Sequence, residues 1–301
     1  MERYNRLNDY LKNKFGERTL KICIDGGFTC PNRDGSKGIG GCTFCSEKGS
    51  GEHLHSFETI SMQVQDYFKS YKACRANKFI AYFQNFTNTY DSLENLKVKY
   101  DSALIDDRIV ALAVATRPDC IDENIVKLLK SYSEKYYVWV ELGLQTANEK
   151  TAQLINRCYS NSDFSKAVQL LNEYYIDVVT HVMVGLPGES FDDIKETVAF
   201  LNKHNIQGLK IHSCYVVNGS SLALQYLNGS YIPISLDEYI DSACYILTHI
   251  SPNIVIHRIS GDAPKDLLLA PEWNGHKKWI MNGINKKLND ENLYQGMYYS
   301  K

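Results

Sequence analysis

The run Val138-Trp139-Val140-Glu141-Leu142-Gly143 decides how the rest of the chain reads. It is a short apolar stretch of the kind expected of a strand buried on both faces of a parallel sheet. Glu141 interrupts it. A carboxylate inside an apolar strand is costly unless paired, so Glu141 is expected to face a polar site rather than core. The same kind of run recurs on either side, at residues 21–24, 79–83, 110–115, 178–184 and 209–215. Amphipathic stretches suited to helices lie between them, around 57–74, 92–106, 122–134, 161–174 and 190–204, with a further one at 235–250. Strand and helix alternating at this spacing imply parallel βα units joined by right-handed crossovers. Six units fit between about residue 21 and residue 250, two short of a closed eight-unit barrel. The expected fold class is therefore α/β, a partial (β/α)6 barrel.

Both ends of the chain are basic. In the first 20 residues Arg3, Arg6, Lys12, Lys14 and Arg18 alternate with Tyr4, Leu7, Tyr10, Leu11 and Phe15 near helical spacing, which predicts an N-terminal basic helix. After Pro252 the composition shifts. Arg258, Lys265, Lys277, Lys278, Lys286 and Lys287 are interleaved with Trp273 and Trp279. The expected organisation is a barrel with its N-terminal helix over 1–250 and an extension packed on it over 251–301. The net charge of −2 over 301 residues gives no global argument for nucleic acid and leaves room for a local basic face. No apolar run reaches the ~18 residues needed to cross a membrane, and the polar start Met1-Glu2-Arg3-Tyr4-Asn5-Arg6 lacks a signal-peptide pattern. A cytoplasmic protein is expected.

Nine cysteines in a chain of this length do not read as a secreted disulfide framework. Six are scattered, at 23, 74, 120, 158, 214 and 244. The other three are Cys30, Cys42 and Cys45, in a C-x11-C-x2-C spacing across a loop rich in glycine and charge. Three thiolates can hold three irons of a cubane cluster and leave the fourth iron open to a small chelating ligand. Spacing alone leaves a second reading open, a structural zinc knuckle with His53 or His55 as fourth ligand. Phe44, between the last two cysteines, and the barrel-like chain that follows favour iron–sulfur.

In parallel barrels the chemistry sits in the loops that follow the strands, and the polar residues fall there. Gln84-Asn85-Phe86-Thr87-Asn88-Thr89-Tyr90 follows the second run and Thr116-Arg117-Pro118-Asp119 the third. Gln145 follows Glu141, Gly185-Leu186-Pro187-Gly188-Glu189-Ser190 follows the fifth run, and the sixth carries Lys210, His212, Cys214 and Tyr215. Each has a structural alternative. The Gly-Leu-Pro-Gly-Glu segment can be a turn with Glu189 or Ser190 as helix cap, and Asp122 can cap the helix after Arg117. His212 and Cys214 share one face of their strand, which can be core.

With these segments in place the chain resembles the radical S-adenosylmethionine superfamily. More narrowly, it is similar to the bacterial group whose core resembles the radical domain of the Elongator catalytic subunit. The residues that carry the likeness are Asp25-Gly26-Gly27-Phe28-Thr29-Cys30-Pro31-Asn32-Arg33-Asp34-Gly35, Tyr82-Phe83-Gln84 with Thr87-Asn88-Thr89-Tyr90, and Ala115-Thr116-Arg117-Pro118-Asp119. They continue in Glu141-Leu142-Gly143-Leu144-Gln145-Thr146, His181-Val182-Met183-Val184-Gly185-Leu186-Pro187-Gly188-Glu189, and Leu268-Leu269-Ala270-Pro271-Glu272-Trp273. The resemblance implies a [4Fe-4S] cluster on Cys30, Cys42 and Cys45 whose open iron chelates S-adenosyl-L-methionine. It also implies a 5′-deoxyadenosyl radical and an external electron donor such as flavodoxin or ferredoxin. By position, Gln84 and Asn88 match contacts to the methionine amino group, and Glu141 matches a ribose-binding residue. The turn from Gly185 to Gly188 would admit the adenine, and Phe44 would shield the cluster. The first cysteine gap is eleven where the superfamily norm is three, and the usual Gly-Gly-Glu after the second strand is absent. The stretch beyond the barrel is too short for the acetyltransferase domain of the Elongator subunit.

Some members of this group mature the wobble uridine of tRNA, trimming a carboxymethylaminomethyl substituent at C5 to aminomethyl. On that reading the mouth of the incomplete barrel receives a flipped-out base. His212 and Tyr215 then stand where the substrate side chain arrives. Arg3, Arg6 and Lys12 at one end and Lys277 and Lys278 at the other would hold the anticodon arm by its phosphates. The alternatives are a radical enzyme acting on a small metabolite or peptide, and a non-enzymatic, zinc-stabilised nucleic-acid-binding module.

Overall fold

The stretch around Glu141 forms β4 (Tyr137–Gln145), the middle strand of a seven-stranded, all-parallel sheet. β1 (Thr19–Ile24), β2 (Lys78–Phe83) and β3 (Ile109–Thr116) lie on one side of it. On the other lie β5 (Asp177–Val184), β6 (Gly208–Ser213) and β8 (Val255–Arg258). The short β7 (Val216–Val217) pairs instead with β9 (Leu268–Ala270), antiparallel, beyond the end of β6. This computed structural model describes residues 2–49, 54 and 58–300. His53 and His55, the candidate fourth ligands of a zinc knuckle, lie outside the described residues.

Helices α2 (Ile60–Lys69), α3 (Leu93–Ala103), α4 (Glu123–Tyr132), α6 (Asn161–Glu173), α7 (Phe191–Leu201) and α9 (Leu236–His249) occupy the expected amphipathic stretches. Their starts are set by side chains that accept from orphan backbone N–H groups. Asp122 Oδ1 accepts from Ile125 N at 2.9 Å. Ser160, Ser190 and Ser235 form reciprocal capping boxes with Asp163, Asp193 and Glu238. Two shorter helices, α5 (Glu149–Leu154) and α8 (Ser221–Leu227), flank the loops after β4 and β7.

The strands bury both faces, but unequally. Outward residues such as Phe79, Phe83, Leu112, Val114, Val140 and Ile211 join the large core beneath the helices. The inward face carries a small cluster in which β3 contributes only Ala111, Ala113 and Ala115. Ala111 and Ala113 pack in that cluster, and Ala115, at the C-terminal end of β3, borders the cavity that becomes the site.

Three expectations change. The sheet has a seventh strand: β8, four residues long, adds beside β6, so the sheet continues past residue 250 into the segment expected to be only an extension. The N-terminal helix is shorter than the basic stretch. As α1 (Leu7–Phe15) it ends where Gly16, at φ 78°, donates its N–H to Lys12 O. It also lies at the opposite end from the loops that carry chemistry. Leu11 packs against Ile80 and Ala111, Tyr10 OH is 3.2 Å from Tyr137 OH at the start of β4, and Lys78 at the start of β2 donates to Phe15 O. α1 is thus a plug in the N-terminal mouth of the half-barrel. The tail ends in α10 (Lys277–Asp290), which packs along α9 with Ile280, Ile284 and Leu288 buried.

Candidate active site

At the C-terminal ends of the strands a cavity of about 460 Å³ opens in the inward face. Cys30, Cys42 and Cys45 line it on the side of β1, together with Phe44. Their loop is held by β4-side groups. Asn156 Nδ2 donates to the carbonyls of Ile39 and Gly41, and Thr43 N to Ile155 O at 3.0 Å. Asn32 Nδ2 donates to Asn156 O at 2.6 Å and approaches Cys42 Sγ at 3.7 Å. Arg117, gripped in a two-pronged pair by Asp119 at 2.9 and 3.0 Å, directs an N–H toward Cys30 Sγ at 4.0 Å. Burial, then the neighbouring Cys45 and Cys30, push the Cys42 thiol up to about 12. Three thiols crowded this way need a strong positive charge to ionise together. Among the described residues no three His, Cys, Asp or Glu side chains are placed to hold a single metal ion. Three thiols lining one cavity, with donors aimed at two of the sulfurs, suit an iron–sulfur cluster held by three cysteines.

The cavity floor is a buried charge network centred on Glu141. Its Oε1 accepts from Lys21 Nζ at 3.2 Å and Trp139 Nε1 at 3.1 Å. Its Oε2 accepts from Tyr82 OH at 2.8 Å, from Lys210 Nζ, and interacts with His181 Nε2 at 2.8 Å. Each partner sits on a different strand at an inward position, so the alternation of the sheet converges all of them on β4. Burial alone would raise the Glu141 carboxyl, but Lys21, Lys210 and His181 outweigh it and hold it well below the usual carboxylate range. Burial, then Lys210, lowers His181 to about 4, so its imidazole is neutral. Burial, then His181 and Arg258, holds His212 well below its ordinary value too. On the opposite rim Arg258 and Asp262 pair at 3.2 Å, and Lys277 reaches the same carboxylate at 3.1 Å.

Of the residues singled out from sequence, Cys30, Cys42, Cys45, Phe44, Gln84, Glu141, His212 and Tyr215 all line this one cavity. Three do not. Asn88 is fully buried, and its Nδ2 donates to the carbonyls of Phe83 and Ala115. It ties the ends of β2 and β3 together, while its Oδ1 is buried with no hydrogen-bond partner among the described residues. Gly185 and Gly188 lie outside the lining. They turn the chain at φ 86° and 73° toward α7, and a Cβ on Gly185 would meet Ile234 at 2.6 Å. The turn packs against Ile234 and Tyr231, whose OH donates to Gly185 O at 2.7 Å. Glu189, at its end, is pushed up to about 7 by burial. Met183, two residues before the turn, faces the cavity in their place. Glu141 itself already holds five donors, so a ribose contact would have to displace one of them. Lys21, Tyr82 and His181 were not picked out as site residues. The signal for them was available, as polar positions in phase with Glu141 inside otherwise apolar strands.

The comparisons with known proteins agree with this geometry. Residues 30–201 match the model of the Radical SAM superfamily and residues 206–290 that of the Radical_SAM C-terminal domain. The chain is 39% identical to the YtqA protein of Bacillus subtilis over 308 aligned positions, covering 100% of this chain and 94% of that one. It is 31% identical to a tRNA uridine(34) acetyltransferase of Methanocaldococcus infernus over 166 residues, covering 54% of this chain and 30% of the other. Among solved structures, the archaeal Methanocaldococcus infernus Elp3 with an N-terminal deletion superposes with a TM-score of 0.69 at 18% identity, covering 92% of this chain and 64% of that one. No helix among the described residues is long and apolar enough to cross a membrane.

Proposed function

Because the chain belongs to the radical S-adenosylmethionine superfamily, we propose that it is a tRNA-modifying member. On this reading it acts on the C5 side chain of a wobble uridine and trims carboxymethylaminomethyl to aminomethyl. The cofactors of the family are a [4Fe-4S] cluster and S-adenosylmethionine; when bound and reduced they supply a 5′-deoxyadenosyl radical able to abstract an unactivated hydrogen. Cys30, Cys42 and Cys45 would hold the cluster. Arg117 and Asn32 would stabilise negative charge on two of its sulfurs by directed N–H groups. Phe44 covers that wall with apolar surface and keeps water from it. Gln84 and Met183 line the space between the cysteines and the floor, where a bound cofactor would be oriented. His212 and Tyr215, which line the cavity near the end of β6, would hold or pass a proton at the substrate.

The observation that carries the reading is the confluence of three thiols and a polar, charged floor in one cavity. The choice of tRNA rests on relatives whose names place their action at uridine 34 of tRNA, matched over 54% and 65% of this chain. The electron would come from a small protein such as a flavodoxin or ferredoxin. Nucleoside analysis of tRNA from a deletion strain tests the substrate. The carboxymethylaminomethyl nucleoside should accumulate and its aminomethyl product disappear, and purified enzyme should restore the product. An unchanged wobble-uridine profile in the deletion strain, together with no nucleoside changed by purified enzyme, sinks the tRNA substrate and leaves a small metabolite or peptide.

A further inference from the structure

We propose that the floor of the cavity, built on Lys210 with Arg258 at the rim, is a subsite for a carboxylate on the substrate side chain. The inference rests on the substrate reading above and locates the part of the protein that recognises the group to be removed.

Charge is the first ground. Lys21 and Lys210 share the single carboxylate of Glu141, and Arg258 and Lys277 share that of Asp262. At the floor two ammonium groups thus share one buried carboxylate, while the Arg258, Lys277 and Asp262 group at the rim is partly exposed. The imidazoles nearby, His181 and His212, are held neutral and do not alter the balance. Ions taken out of water need a partner of opposite sign, and at the floor a single buried carboxylate serves two ammonium groups.

Valence is the second ground. Lys210 is 3% exposed, and its ammonium has three N–H donors. One goes to Glu141 Oε2 and one to Tyr82 OH at 2.9 Å; the third has no partner among the described residues. Burial pushes this ammonium down to about 7, so it is only partly charged near neutral pH, and an arriving anion would favour its charged form.

Shape is the third. The cavity wall includes Tyr82, Glu141, Lys210, His212 and Arg258, so the space reaches from the cysteines down to these cations. Ala115 and Thr116 at the end of β3 are the small residues of that strand on the wall. A carboxylate at the end of a short side chain can reach the floor while its base stays near the mouth.

The test compares two nucleosides of equal shape, 5-carboxymethylaminomethyluridine and its neutral carboxamide, by calorimetric titration of the anaerobically reconstituted enzyme. The acid should bind about tenfold more tightly, the scale expected for one charge-assisted contact in a buried site. Lys210→Met should abolish that preference, and Lys210→Arg should keep most of it. Equal binding of acid and amide to the unaltered enzyme overturns the inference whether or not the variants fold. So does a Lys210→Met enzyme that still prefers the acid. Loss of S-adenosylmethionine binding in Lys210→Met, with no acid preference in the parent, would assign the floor to the cofactor's own carboxylate and also overturn it. The outcome is separable from the tRNA reading. A deletion strain with altered wobble uridine and an enzyme indifferent to the acid removes the subsite alone. A normal strain with an enzyme that prefers the acid removes the tRNA substrate alone.

Discussion

Glu141 is 1% exposed and anchors donors from β1, β2, β5 and β6 besides Trp139 on its own strand. Removing its charge while leaving two ammonium groups in place strands cations in the interior. Glu141→Gln is expected to cost about 3–5 kcal/mol, the range for breaking a buried ion pair from one side, measured as a lower urea midpoint at pH 7. The pH dependence follows from the depressed carboxyl. Its contribution is complete above the unfolded value near 4.5 and is lost as pH falls through the lower folded value. The gap between parent and Glu141→Gln midpoints should therefore hold from neutral pH down to about 4.5 and narrow below it. A gap independent of pH down to the acid transition would show that the network is not held by this charge.

At the scale of elements, two short segments carry more than their length suggests. In the cysteine loop, a Cβ on Gly38 would overlap Asn32 Oδ1 and lie 2.9 Å from Cys158 Sγ. Gly38→Ala should displace Asn32 from Cys42 Sγ, and the iron retained per chain after anaerobic reconstitution should fall well below that of the parent while the far-ultraviolet circular dichroism stays the same. In α1, Leu11 is the one buried residue, and it seals the N-terminal mouth against Ile80 and Ala111. Leu11→Ala should cost about 2–4 kcal/mol, as large-to-small core changes do, read by thermal or urea unfolding. The same elements show what the sequence made legible. The first six strands were readable because each is an unbroken apolar run between helical periods, and the cysteines because of their spacing. β8 was not, because Val255–Arg258 is only four residues long, with no helix of its own between it and the next strand. Glu141 could be placed at a site because an ion in an apolar strand must be paired. Its partners on other strands lie 40 to 120 residues away, a separation that strand order, not local pattern, resolves. Asn88, Gly185 and Gly188 match motifs but lie outside the cavity lining, where Asn88 Nδ2 donates to Ala115 O and the Gly185 carbonyl accepts from Tyr231.

For the whole molecule, the N-terminal cations lie beside the end of α10, while the start of α10 reaches the cavity rim. Arg3 donates to Asn289 Oδ1, Asn292 Oδ1 and Leu293 O, stitching the N-terminus to the end of α10, and Arg6 pairs with Glu2 and Asp9. These cations are engaged beside the plug, away from the cysteines. α10 spans the molecule, since its first residue, Lys277, pairs with Asp262 on the cavity rim. Its 14 residues correspond to about 21 Å of helix, so a grip at one end is far from the other. Around the rim end lie exposed Lys265 and Lys278, with Trp279 stacked on His276 at 4.0 Å between ring centroids. A tRNA delivering a flipped uridine to the cavity should therefore meet the tail and not the N-terminal helix, which revises the expectation that both ends hold the anticodon arm. Lys265→Glu with Lys278→Glu should weaken tRNA binding and flatten its dependence on salt by roughly one in log–log slope per lysine. Arg3→Glu with Arg6→Glu should leave affinity and slope unchanged while lowering the unfolding temperature, because those residues fasten the chain's two ends. Filter binding across a salt series decides it. Equal losses from both pairs would mean that the RNA runs along the side of the barrel, and losses from the N-terminal pair alone would put the entrance at the plugged end.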